Sequence, residues 1–470
     1  MDAVGAAKQW AEQEFADAAL GDRRRTRRLV SVAAAVLTRP DGRITGTFKK
    51  PARREAAFRW VENAAIAVEQ VTAASARAAA RRAAEYSFVF VPVDGTGLTI
   101  VDRQRAKDIG AMGARIKGAR GVQTMTAMVV APTGTPLGIG DQLYWARRGR
   151  KRPGGKRGGR KDRRQLRSRE TRYWLQTMGN VARHMESCAP STVPWFQLDR
   201  GGDSWEVLSF AQEHGLMATV RASANRRLWT ERDEGRRYLR EQMSKRPVGG
   251  YKLVRVPAGP NRRARVAKLA IRFADVELDL HNPRGQHRRR MRIHVVHVRE
   301  VGTTPRGELP LDWMLLTTHA VASVADAELV VHGYATRWAI EEFHKTWKSD
   351  ACNVEAMQLR SFATICRWAA VLAAVAMRIQ RLMKLARSEP DLPATVELTR
   401  GEIKAIIVST EHQKMTAKPD DILTIAEAVK WLGSLGGHSP SPSAGPPGAK
   451  TLMRGLESIT LLARYFDEKM

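Results

Sequence analysis

The chain has 470 residues, with 79 Lys and Arg against 48 Asp and Glu, for a net charge of +31. That length supports several domains and at least one sizeable core. The positive excess excludes an ordinary enzyme of small neutral metabolites and points to a polyanionic partner, nucleic acid ahead of an anionic membrane surface.

Residues 1–68 read as helical. Asp22 can cap a helix whose Leu29, Val32, Ala33, Val36 and Leu37 form one apolar stripe. Arg24, Arg27 and Arg28 fall on its far side, as a solvated face or a phosphate-facing one. A second helix is expected near Arg53–Asn63 and an alanine-rich one over Thr72–Glu85. The pattern then turns α/β. Strands are expected at Phe88–Val93, ending at Asp94, and at Val122–Val130 and Leu137–Trp145. Arg147–Arg172 carries 14 basic residues and several glycines, and reads as a mobile basic loop. A helix over Tyr173–Cys188 precedes the strand Val193–Leu198, which ends at Asp199. Between about 225 and 320 the pattern is almost purely β, at Tyr251–Val256, Arg265–Phe273, Met291–Val298 and Trp313–Thr317. Helix returns from Ala325. The Pro/Ser-rich break Gly436–Gly448 precedes a last helix, Thr451–Lys469, and the Gly445–Thr451 run lacks the strand and the Gly-Lys pair of a phosphate loop.

Cys188, Cys352 and Cys366 are unclustered, which argues against disulfides or zinc and suits a reducing cytoplasm. The longest apolar run, Trp368–Met377, is about half of what a bilayer span needs. The N-terminal residues show no secretory signal pattern.

The chemistry concentrates in Tyr334–Lys348. On an ideal helix Tyr334, Arg337, Glu341, Lys345 and Lys348 fall within a sector of about 80°, while Ile340, Phe343 and Trp347 face the core. Such a face could be a surface helix with i,i+4 ion pairs. Asp94 and Asp199, each ending an apolar strand before loop residues, tip the balance, although one such Asp alone is more often a turn residue. Two strand-end carboxylates with a third on a helix can hold two divalent cations for phosphodiester chemistry. Hard oxygen donors favour Mg²⁺, with Mn²⁺ as a substitute.

The spacing Tyr334-x-x-Arg337-x-x-x-Glu341, completed by Lys348, resembles the signature of bacterial DDE transposases of the IS-four group. The resemblance includes AALGDRRRTRRLVSVAA near the N-terminus, LDRGGD at Leu198–Asp203 and GELPLDWMLLT at Gly307–Thr317. Gly201-Gly202 depart from that family's Glu-Ala. The resemblance implies an α/β fold, a ribonuclease-H-like catalytic core with a β insertion, flanked by helical domains. It implies residues 1–68 as a transposon-end DNA-binding domain, 69–370 as the catalytic domain and 371–470 as a helical dimerisation domain. It assigns Asp94, Asp199 and Glu341 to the metals. Arg24, Arg25 and Arg28 would contact the end sequence, and Tyr334, Arg337 and Lys348 the phosphates beside the cut, with His344 and Lys345 as weaker candidates. Trp313 and Trp338 would hold a base flipped out during hairpin formation; without the family match, Trp313 reads as a core residue. The expected partners are double-stranded DNA, as transposon ends and target, and a second copy of the chain on DNA, with no membrane partner, in the bacterial cytoplasm at the nucleoid. Two rivals remain: a catalytically idle DNA-binding repressor derived from a transposase, and a structure-selective nuclease.

Overall fold

The computed structural model describes residues 5–112, 118–147, 160–230, 235, 237–256, 263–282, 288–411, 423–439 and 445–469. Its spine is a ten-stranded mixed sheet. The strands are β1 (Phe88–Thr99), β2 (Gly110–Ala111), β3 (Arg120–Val130), β4 (Pro136–Trp145), β5 (Val193–Leu198), β6 (Met217–Arg221), β7 (Gly250–Val256), β8 (Arg265–His281), β9 (Arg288–Val301) and β10 (Asp312–Thr317). They lie in the order β2–β3–β1–β5–β6–β10–β9–β8–β7, with β4 also on β3.

β1, β5 and β6 run parallel, whereas β3 and β10 flank them antiparallel. Parallel strands covered on both faces need near-continuous apolar runs, which FVFVPV and VPWFQL supply. Val89, Val91 and Val93 enter one core cluster and Phe90 and Trp195 the other. β6 and the helix Trp205–Glu213 before it were not anticipated, because a five-residue strand leaves little periodicity to read. The region expected as a β insertion is no separate module, since β10 pairs with β6 and β7–β10 continue the same sheet.

Two expectations need correction. β1 does not end at Asp94 but runs on to Thr99, because Asp94–Thr99 pair with Gly121–Thr126 of β3. The basic segment is not wholly loop. Residues 148–159 lie outside the described residues, and a helix spans Arg160–Cys188. The glycines all precede Arg160, and Arg, Lys and Gln are good helix formers.

The N-terminal helix Arg23–Thr38 starts at Asp22, which accepts from the Arg24 backbone, and buries Leu29, Val32, Ala33, Val36 and Leu37 as its stripe predicts. The helix Phe362–Ser388 crosses the expected boundary at 370/371 and ties the N-terminal helices to the centre. Arg367 donates to the Val61 and Ile66 carbonyls, and the Trp368 indole to Gly42. This helix is long and apolar enough to cross a membrane, but 89% of its most apolar window is buried within the protein.

Candidate active site

Asp94, Asp199 and Glu341 arrive from three elements. Asp94 lies within β1, where its Oδ1 accepts from the Gly95 backbone at 2.8 Å. Asp199 follows β5 and caps the short turn Arg200–Gly202, accepting from the Gly201 backbone at 2.7 Å. The glycines there leave little room for a side chain as the neighbours now stand. A Cβ on Gly201 would stand 2.9 Å from Asp199 Oδ1, and one on Gly202 2.9 Å from Leu198 Cβ. Glu341 sits in the first turn of the helix Trp338–Lys345.

Arg337 joins two of them, donating to Asp94 Oδ2 at 3.2 Å and to Glu341 Oε1 at 2.5 Å. Burial pushes the Asp94 carboxyl up to about 6, Arg337 opposes that, and the charges of Asp199 and Glu341 raise it further. Although burial works against it, the guanidinium is held charged by Tyr334, Asp94, Glu341 and Asp199. Asp94 and Glu341 thus pair with one cation, and Asp199 acts on it and on Asp94 through charge. Among the described residues, no three carboxylate, imidazole or thiol side chains form a ready cage for a metal ion, and Arg337 spans Asp94 and Glu341. The donor chemistry nevertheless suits a hard oxygen-seeking cation, and the Glu341 side chain, 52% exposed, has room to turn.

The stretch Tyr334–Lys348 is not one helix. One helix covers Val324–Ala335 and a second Trp338–Lys345. Between them Thr336, Arg337, Ala339 and Ile340 each bond back three residues, which tightens the turn. Thr346–Asp350 then widens into a π turn. Tight and wide turns rotate side chains away from the ideal 100° step, so the expected common face is partly dispersed. Lys345 is exposed beside Asp350 at 3.6 Å. Lys348 donates to Thr96 at 3.3 Å and stands 3.8 Å from Glu355. His344 is buried, contrary to its expected phosphate contact. Burial, together with the charges of Lys348 and Arg337, pushes its imidazole down to about 3, so it is neutral. Tyr334 is also buried, close enough to Arg221 at the end of β6 for the two to act on each other electrostatically.

Arg221 is a cation that sequence reasoning missed. Its one signal was an arginine closing the short apolar run MATVR, and its Nη2 donates to the Asp312 carbonyl at 2.9 Å. Arg24 and Arg28 are exposed, but Arg25 turns inward and donates to the Leu20 carbonyl at 3.0 Å. That bond makes it a brace of the helix start and not an open contact. Trp313 is buried at 3% exposure, edge-on to Tyr334 at 5.0 Å and Trp338 at 5.7 Å, so it offers no open stacking face here. Trp338 instead lines a cavity of roughly 780 Å³ with Leu253, Arg255, Glu342 and Lys384.

Asp94 within β1, Asp199 just after the parallel neighbour β5, and Glu341 on a helix form a carboxylate cluster of the kind that can serve phosphodiester chemistry. Comparison with known families makes this specific. Residues 7–66 match the family model described as transposase DNA-binding, and residues 141–377 match the transposase DDE domain. The chain belongs to the DDE transposase family, which implies a ribonuclease-H-like core, DNA as partner and, generally, divalent metal use. The DDE match contains Asp199 and Glu341, while Asp94 stands upstream of it.

Proposed function

We propose that this chain is a cut-and-paste transposase of the IS-four group, in which Asp94, Asp199 and Glu341 hold Mg²⁺, with Mn²⁺ as a substitute. The observation that carries the reading is the gathering of these three carboxylates about Arg337. When bound, the cations activate the attacking oxygen and stabilise the leaving one. The chain's own groups bind and orient the DNA. Arg24 and Arg28 contact the transposon end, while Arg337, Lys345 and Lys348 bring positive charge to the phosphates beside the cut. Tyr334 orients Arg221 for the same task, and neutral His344 packs beneath. The reaction runs from a nick through a hairpin and its opening to joining of the 3′-OH to target DNA.

Closing a hairpin requires an extruded base, and an aromatic wall returns roughly 1–3 kcal/mol of the cost by stacking. Trp338 supplies that wall with Trp313 behind it. Two copies assemble on DNA through the C-terminal helices, where the helix Ala449–Lys469 exposes Leu461 and Tyr465.

The test is to incubate the protein with its own flanking DNA and Mg²⁺ and to map the products on denaturing gels. Nicks at the ends, hairpins and joined strands are expected, and Trp338→Ala should accumulate nicks at the expense of hairpins. Cleavage without joining would reduce the protein to a nuclease; end binding without cleavage would make it a repressor.

A further inference from the structure

Two polar rungs cross the sheet at the carboxylates. Asp94 of β1 pairs with Thr126 of β3, which pairs with Gln142 of β4. Two residues along each strand, Thr96, Thr124 and Tyr144 are paired in the same way. Residues two apart share a face of a strand, so both rungs lie on the face that carries Asp94. Cross-strand partners on one face have Cβ atoms about 4.5–5.5 Å apart. Thr124 and Thr126 are 0% exposed and Gln142 2%. Hydroxyl and amide groups this deep in a sheet weaken the core unless they are hydrogen-bonded.

The bonds they make have a direction. The Tyr144 hydroxyl donates to Gln142 Oε1 at 2.6 Å, and Gln142 Nε2 donates to Thr126 Oγ1 at 3.2 Å. Tyr144 is steadied by Trp347, edge-on at 6.5 Å. Thr126 is thus the acceptor from Gln142, and its own hydroxyl proton is left for another acceptor. Its neighbour on the other side of the rung is the Asp94 carboxylate. The second rung also reaches the site, since Thr96 accepts from Lys348.

In this structure the Asp94 oxygens accept from the Gly95 backbone and Arg337. We propose that Thr126 is a positioning residue for Asp94, its hydroxyl proton, backed by Gln142 and Tyr144, being placed to receive the carboxylate across the rung when a divalent cation takes the place of Arg337. The inference rests on the metal-site reading of Asp94, Asp199 and Glu341. Hydrogen bonds behind a metal ligand fix its orientation, and losing one typically costs about 10–100-fold in metal affinity. Thr126→Val keeps the shape and removes the hydroxyl, both as donor and as the acceptor of Gln142 Nε2.

The experiment titrates Mn²⁺ into the full-length protein, counting free Mn²⁺ by electron paramagnetic resonance, with duplex binding and thermal unfolding followed on the same samples. Thr126→Val is expected to weaken Mn²⁺ binding about 10–100-fold with duplex affinity unchanged. Thr126→Ser, which keeps the hydroxyl, should restore it, and Tyr144→Phe should show a smaller loss in the same direction. Wild-type Mn²⁺ affinity in folded Thr126→Val overturns the relay and leaves the metal site standing. If Thr126→Val loses its cooperative unfolding, unchanged affinity in Tyr144→Phe overturns it instead. Asp94→Ala is the control for the parent reading, and wild-type Mn²⁺ affinity in that variant overturns both.

Discussion

The two halves of the sheet treat their carboxylates differently. On β8 and β9, Asp275, Glu277 and Asp279 each pair with a different arginine, Arg292, with Nε at 2.7 Å, Arg290 at 2.6 Å and Arg288 at 2.7 Å, and Asp279 also faces Arg227 at 3.2 Å. Hydrogen bonds from Arg292 hold Asp275 below the usual carboxylate range. Burial would raise Asp279, but Arg288 and His281 bring it down as well. Both shifts are what a paired cation produces. Around Arg337 one guanidinium bridges Asp94 and Glu341, with Asp199 acting through charge, and burial drives Asp94 upward instead. Both regions look alike in composition, as acids and arginines on apolar scaffolds. One is neutralised from within, whereas the other keeps an excess of negative charge that a cation from outside can satisfy. A buried carboxylate pushed upward, as Asp94 is, marks a candidate site of chemistry.

The sharpest break between the halves is catalytic. Asp94→Ala, Asp199→Ala and Glu341→Ala should each lower end cleavage by on the order of 10³-fold or more, as expected for loss of a metal ligand. End binding in a gel shift should persist, because affinity rests on phosphate contacts elsewhere. Substantial Mg²⁺-dependent nicking by any one of them would remove that residue from the site.

Asp141 of β4 is a third kind of carboxylate, buried beside Asn180 and Thr177, with Arg183 acting on it through charge. Burial pushes it up to about 7, against the Asn180 and Thr177 hydrogen bonds. Its folded pKa lies above its unfolded one, so its contribution to stability is present below about pH 4 and is lost as pH rises toward 7. The loss is on the order of 2–4 kcal/mol. Asp141→Asn should flatten that decline in denaturant titrations between about pH 4 and 8, and an unchanged slope would show that the carboxyl ionises normally.

On the ladder side, Asp279→Asn should cost about 1–3 kcal/mol of stability and leave cleavage per folded molecule unchanged. A selective loss of cleavage would erase the distinction between the two halves. The smallest effect belongs to the basic segment. Deleting residues 148–159 should flatten the dependence of log K on log salt for nonspecific duplex, by about 0.9 for each phosphate contact removed. An identical slope would mean that these charges meet no phosphate.

Much of this was legible in the chain itself. The apolar runs at Phe88–Val93 and Val193–Leu198 announced buried strands, because strand periodicity is a local property, and the spacing from Tyr334 to Lys348 pointed to the candidate site. The Asp22 cap and the stripe from Leu29 to Leu37 were readable for the same reason. The sequence also determined the charge, and with it the class of partner.

Only the tertiary structure decided which members of that signature face outward. Tyr334 and His344 are buried, while one tightened turn and one widened turn break the ideal helix around them. Those departures are set by packing against the sheet and the helix Phe362–Ser388, which no local pattern encodes. The strand β6, the nearness of Arg221 to Tyr334, and the rungs from Asp94 to Gln142 and from Thr96 to Tyr144 likewise depend on register between distant segments. Register is settled by which faces can be buried together, so it exists only once the sheet is assembled.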